Sequence, residues 1–147
     1  MSDEFFINGV VDQDDNRLFG NKMMSWFWVI PAPIDIHPGG FPNSINCSSN
    51  GNGVIPVAIL STLNFDATTV DHSTVRFAGA SEAHVKKKSG LPVRHEEDVD
   101  NDGDLDLVLH FKVNETTLTC SSTSAILTGR TFSNRCIRGM DSVNMVP

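Results

Sequence analysis

The chain has 147 residues, the size of one ordinary domain, which leaves no room for a second full core. Its 18 acidic residues outnumber 11 basic ones, giving a formal charge of −7, and that balance argues against binding nucleic acid through a basic surface. With 39% hydrophobic and 20% charged residues, the sequence can bury a core and does not have the extreme balance of a disordered polyampholyte.

Residues 1–33 differ in composition from the rest and are expected to form an N-terminal arm or extra hairpin ahead of a domain over 34–147. They hold the acidic stretch DQDDN at 12–16, both tryptophans and the pair Met23 and Met24. The start, MSDEFF, carries acidic residues where a secretory signal would have Lys or Arg, so no export signal is read there. The longest apolar stretch, Met23 to Ile30, has eight residues with Ser25 among them, against about 20 for a membrane helix, so no membrane span is predicted. Trp26 and Trp28 are two apart; on a strand they share a face and can stack on sugar rings, although packing is the commoner use of such rings. Asp12, Asp14 and Asp15 have part of a metal-loop spacing, but Arg17 stands where the loop would need glycine.

From Pro31 onward, short apolar runs alternate with Gly, Pro, Asn and Asp clusters, and no long window keeps a helical period. The pattern predicts an all-β fold, a β-sandwich of about seven to nine short, mostly antiparallel strands. The predicted strands are Ile34–Ile36, Val54–Leu60, Val75–Phe77, Pro92–His95, Leu105–Val113, Ala125–Thr128 and Cys136–Met145. Turn signals such as PGG at 38–40 and NGNG at 50–53 separate them. VIPVAIL is apolar on both faces, as in a strand covered on both sides, with Pro56 expected at its start or at a bulge. In LDLVLHFKV, Leu105, Leu107, Leu109, Phe111 and Val113 should meet the core, and Asp106, Val108, His110 and Lys112 should be mostly wet. Three cysteines, Cys47, Cys120 and Cys136, allow one disulfide; Cys120 with Cys136 would close a short loop, and three free buried thiols are the alternative.

Residues 98–106 read DVDNDGDLD. Asp98, Asp100 and Asp102 fall at positions 1, 3 and 5 and Gly103 at position 6, a spacing that wraps Ca2+ in carboxylate oxygens. Gly103 permits the sharp turn, the Asp104 carbonyl can face the ion at position 7, and Asp106 at position 9 completes the set, directly or through water. An EF-hand needs Glu at position 12; Leu109 is there instead, and the residues beyond alternate as a strand. Five aspartates in nine residues repel one another without a cation, and the competing reading is a solvated acidic turn. Glu96 and Glu97 can extend the site or support its ligands.

Catalytic signals are weaker. His95 with Glu97, or His110 near Asp106, can form an acid/base pair, but the sequence has no HExxH, GxSxG or phosphate-binding glycine loop.

The segments IDIHPGGFPNSIN (34–46), GVIPVAIL (53–60), FDATTVDHSTVRFAG (65–79) and EDVDNDGDLDLVLHF (97–111) resemble a calcium-loop β module of secreted or surface proteins of environmental bacteria. Its pattern runs IDIKPG, PNSIN, GVIPVAILG, STVRFG and DVNGDGxxDLVLHF. The likeness continues through LTGRTF (127–132) and CIRGMDSV (136–143). The acidic loop also resembles the DxDxDGxxD calcium loops of integrin-type FG-GAP repeats. His37 replaces the module's usual Lys, and Met140 stands where a cysteine is expected. The resemblance implies an extracytoplasmic, calcium-bearing β module with Asp98, Asp100, Asp102 and Asp106 as metal residues. The expected role is non-catalytic, in adhesion, spacing or carbohydrate binding, with a polysaccharide or a protein as partner. The alternative is a small calcium-dependent polysaccharide hydrolase or lyase using His95, Glu97 or His110.

Overall fold

The computed structural model describes residues 29–47 and 53–147. Trp26, Trp28 and the acidic stretch at 12–16 lie outside the described residues. The remainder is all-β, with two single-turn 3-10 segments at Ala67–Thr69 and Val113–Glu115.

In chain order the strands are β1 (Ile30–Pro31), β2 (Ile34–Ile36), β3 (Ser44–Asn46), β4 (Val54–Ile59) and β5 (Val70–Phe77), then β6 (His95–Glu97), β7 (Asp106–Lys112), β8 (Ser124–Thr131), β9 (Cys136–Ser142) and β10 (Asn144–Val146). One sheet has the order β1-β9-β8-β5, another β2-β4-β7-β6, and β3 pairs with β10 in a small parallel ribbon. Ile30 and Pro31 already pair in parallel with Ile137 and Arg138, so regular structure begins ahead of position 34.

The two four-stranded sheets bury their apolar faces against each other. Ile34, Ile36, Ile55, Val57, Ile59, Leu107, Leu109 and Phe111 come from one, and Val70, Val75, Phe77, Leu127 and Ile137 from the other. Phe77 and Phe111 meet across the interface with ring centroids 5.2 Å apart. Close approach matters at Gly139, where a Cβ would collide with the Ala32 carbonyl oxygen and the Ile34 side chain.

Pro56 sits in register opposite His110 with no bulge, inside the interior strand β4. On its other side the ladder is ending. The His37 amide donates to the Pro56 carbonyl at 2.9 Å, while the His37 carbonyl accepts from Gly40 at 3.0 Å. No carbonyl waits for the amide hydrogen that proline lacks, so the usual cost of a strand proline is avoided.

The second face of β7 is wet only toward its end, where Lys112 is exposed and His110 half-buried; at its start the expectation fails. Leu107, Leu109 and Phe111 are fully buried, as expected, but Leu105, just ahead of the strand, is 49% exposed and Val113, just after it, only partly buried, whereas Asp106 is 0% exposed and Val108 only 9%. The reason is position: β7 is an interior strand, and the turns on either side close over Asp106. Its Oδ1 accepts from the Ser61 amide at 2.8 Å and its Oδ2 from the Val99 amide at 3.0 Å, which makes a buried carboxylate tolerable. Ser61 is held in turn, its hydroxyl donating to the Leu105 carbonyl and accepting from the Ala67 amide.

Neither reading of the cysteines holds, the pairing of Cys120 with Cys136 or three free thiols. Cys47 bonds Cys120 with Cα atoms 5.4 Å apart, and Cys136 is a free thiol. The hairpin register explains this. Cys136 lies opposite Arg130 while Ser142 lies opposite Ser124, so Cys136 and the chain entering β8 are at opposite ends of the hairpin, about 20 Å apart at strand rise. The Cys47 amide instead follows the β3/β10 ribbon, donating to the Val146 carbonyl, and this brings its side chain to Cys120. No helix among the described residues is long and apolar enough to cross a membrane.

Candidate metal centre

The loop joining β6 to β7 folds onto its own carboxylates. Gly103 has φ +95° and Asn101 φ +58°, so two backbone positions in the left-handed region bring the acidic side chains around. The Asp98 carboxylate accepts from the amides of Asp102 and Gly103 at 3.1 and 3.0 Å. Asp102 also donates to Asp100 at 3.3 Å, and the Asp102 carboxylate accepts from the Asp104 amide at 2.9 Å.

Asp98, Asp100 and Asp106 each present a carboxylate oxygen, and these oxygens lie within 4.8 Å of one another. This trio can hold a metal ion. Oxygen ligands at about 2.3–2.6 Å from a hard cation stand up to about 5 Å apart across it, so the spacing suits an ion seated between them. Asp106 fixes the site's floor because it is buried and clamped by two amides; Asp100, at the rim, is exposed. Asp102 and Asp104 are exposed and stand outside the trio. The Asp100 carboxyl is held above the usual carboxylate range, first by desolvation within the loop and then by the neighbouring charges of Asp106 and Asp102. A bound cation would relieve that crowding.

The flanking glutamates have separate positions. Glu96 is bonded to Arg94, Nε to Oε2 at 2.8 Å, and exposed Glu97 lies opposite Asp106 in the ladder. Arg94 is a tether between the sheets. Its guanidinium donates to the carbonyls of Thr68 and Val70, both at 2.7 Å, and lies 5.5 Å from the Phe132 ring centre.

His95 and His110 gather with His84, a combination that sequence spacing did not suggest. The three are separated by 11 and 15 positions (95 − 84 and 110 − 95), too far apart for a local ligand motif. Antiparallel pairing of β6 with β7 brings His95 beside Val108, and the segment before β6 adds His84 by bonding along the same edge, Ala83 donating to the His110 carbonyl at 2.7 Å.

Comparison of the chain with family models, curated proteins and solved structures finds no match. Fold and site therefore define its class on their own: an all-β protein of two packed sheets with an acidic cluster able to hold a metal ion.

Proposed function

We propose that this chain is a non-catalytic, calcium-stabilised β-sandwich module of an exported bacterial protein, serving adhesion, spacing or carbohydrate binding. The observation that carries the reading is the convergence of Asp98, Asp100 and Asp106 on one point beside Gly103 at the entry to β7. An all-oxygen carboxylate set selects a hard cation, and the DxDxDG order favours calcium over magnesium, which demands a tighter octahedron. The ion would pin the loop to a strand that runs through the core, so metal binding would add directly to folding stability. The Cys47–Cys120 disulfide supports an oxidising, extracytoplasmic setting.

The test is a thermal melt in EGTA and then in calcium, with magnesium as control. Calcium should raise the melting temperature and magnesium should not. Asp100→Ala should abolish that rise while leaving the EGTA-treated protein nearly unchanged; Asp102→Ala should weaken it less, because Asp102 stands outside the trio. Equal losses with and without calcium would refute the metal role. For the ligand, affinity electrophoresis in polysaccharide gels should retard the folded protein without release of reducing ends, and loss of retardation in Trp26→Ala with Trp28→Ala would mark an aromatic platform.

A further inference from the structure

We propose that His84, His95 and His110 form a second metal site, chemically distinct from the acidic loop, which takes a divalent transition ion of the Zn2+ type. It does not depend on the calcium reading. The three rings form a compact group, with centroid separations of 5.0 Å for His84 and His95, 5.7 Å for His95 and His110, and 6.1 Å for His84 and His110. One nitrogen from each lies within 4.8 Å of the others. Neutral imidazole nitrogen is the donor that zinc, copper and nickel prefer and that calcium and magnesium do not.

Two further observations point to a cation there. The first is Glu82, which is 5% exposed. Its carboxylate accepts from the His84 amide at 2.9 Å and from the His110 amide at 3.0 Å, so one buried anion fixes the backbone of two of the three histidines. Among the described residues its one ionisable partner is His110, with Nδ1 4.0 Å from Oε1. A carboxylate just outside the histidines offsets an ion's charge and holds the ligands in place, here through their backbone amides and not through a ring nitrogen. The second is His110 Nδ1 itself, which is buried and has no hydrogen-bond partner. An orphaned buried nitrogen carries a desolvation cost; coordination through Nδ1 would remove it with Glu82 beside the ion, and coordination through the other ring nitrogen would turn Nδ1 into a donor facing Glu82.

Three protein donors leave the remaining position of a tetrahedral ion to water. Zn–N bonds of about 2.0–2.1 Å bring ligand nitrogens to roughly 3.4 Å from one another, so any pair standing near the 4.8 Å limit would close by about an ångström. His84, exposed at the rim, has room to do so. Such an ion would clip the segment leading into β6 to the strand β7.

The test uses the full chain, free of any affinity tag and saturated with calcium, titrated with Zn2+ by calorimetry and with Co2+ by visible absorption. One equivalent of each should bind, Co2+ should give the intense bands of a tetrahedral nitrogen-ligated ion, and Zn2+ should raise the melting temperature. His84→Asn, a change at an exposed position, should abolish the Co2+ bands and weaken Zn2+ at least tenfold. Glu82→Gln should weaken Zn2+ about tenfold at unchanged stoichiometry. Asp100→Asn and His37→Asn should bind Zn2+ as the parent does. Failure of the parent to bind one equivalent, or parent-like binding by His84→Asn, would overturn the proposal, as would loss of the zinc site in Asp100→Asn, which would put the ion on the acidic loop.

Discussion

Asp106 and His110 are four residues apart on the same strand and point to the same face, yet each belongs to a cluster of a different origin. The acidic loop is assembled mainly by its own sequence: Asp98, Asp100 and Asp106 span nine residues, and Gly103 and Asn101 turn the backbone so that their oxygens meet, with Ser61 the one distant donor that holds Asp106. The histidine group is assembled by the fold, from three segments that only strand pairing and a buried glutamate bring together. Local spacing can therefore announce a site before any tertiary structure is known, whereas a site made by pairing is invisible until the register is. The two should also fail differently, the first under changes within the loop and the second under distant changes to the frame.

The largest expected effect concerns the frame. The Cys47–Cys120 bond links residues 73 apart in sequence, and the chain-entropy argument assigns such a loop about 4 kcal/mol. Cys47→Ser with Cys120→Ser, or reduction of the parent protein, should lower the melting temperature by roughly 10 °C. The increment gained from calcium should survive, because the disulfide lies outside the acidic loop. A melt unaffected by reductant would remove the bridge from the account of stability, and loss of the calcium increment would break the contrast between local and assembled sites.

A smaller change should separate the clusters themselves. Arg94 precedes His95 and ties it to the start of β5 through the carbonyls of Thr68 and Val70. Arg94→Ala should cost about 2 kcal/mol, the scale of charge-assisted hydrogen bonds lost from a half-buried site. It should also weaken Zn2+ binding severalfold by loosening His95, while the calcium response stays within error. Equal weakening of both metals would show that the clusters share one support.

The same division explains which parts of the molecule were legible in sequence. Ile34–Ile36 is predicted with its observed ends, and Val54–Ile59 and Asp106–Lys112 fall within a residue of expectation at each end, because alternation and adjoining turn residues are local signals. The segment around 92–97 is displaced: Pro92–His95 reads as the strand, but the paired residues are His95–Glu97, whose polar side chains carry no apolar signal and pair only because β7 offers an edge. Ile30–Pro31 and Ser44–Asn46 lie among Pro and Asn residues that read as turns, and their pairing comes from the distant residues of β9 and β10. The burial of Asp106 was hidden for the same reason, since Ser61, 45 positions earlier, supplies one of its two donors.

The smallest effect tests carboxylate crowding produced by the fold instead of the loop. Asp35, on β2, has its carboxyl raised above the usual range by burial and then by the charge of Asp141 on β9. Asp141 is itself engaged: its Oδ2 accepts from the Ile36 amide and the Asn43 side chain, both at 3.0 Å, and its Oδ1 from the Ser142 amide. The ionisation of Asp35 is thus opposed by its own burial and by a neighbouring carboxylate fixed in place by these bonds. A carboxyl with a raised folded pKa contributes stability below its unfolded pKa of about 3.9 and loses it as pH rises through the folded value. Asp35→Asn should therefore stabilise the protein at pH 7 by about 0.5 kcal/mol, the scale of a half-exposed charge interaction. The gain should shrink as pH falls and vanish near pH 3, where the parent's Asp35 is already neutral. Calcium should leave this difference unchanged, because no metal trio includes Asp35; a pH-independent gain would instead mark a packing effect of the amide, and a loss at neutral pH would show that the Asp35 charge supports the fold.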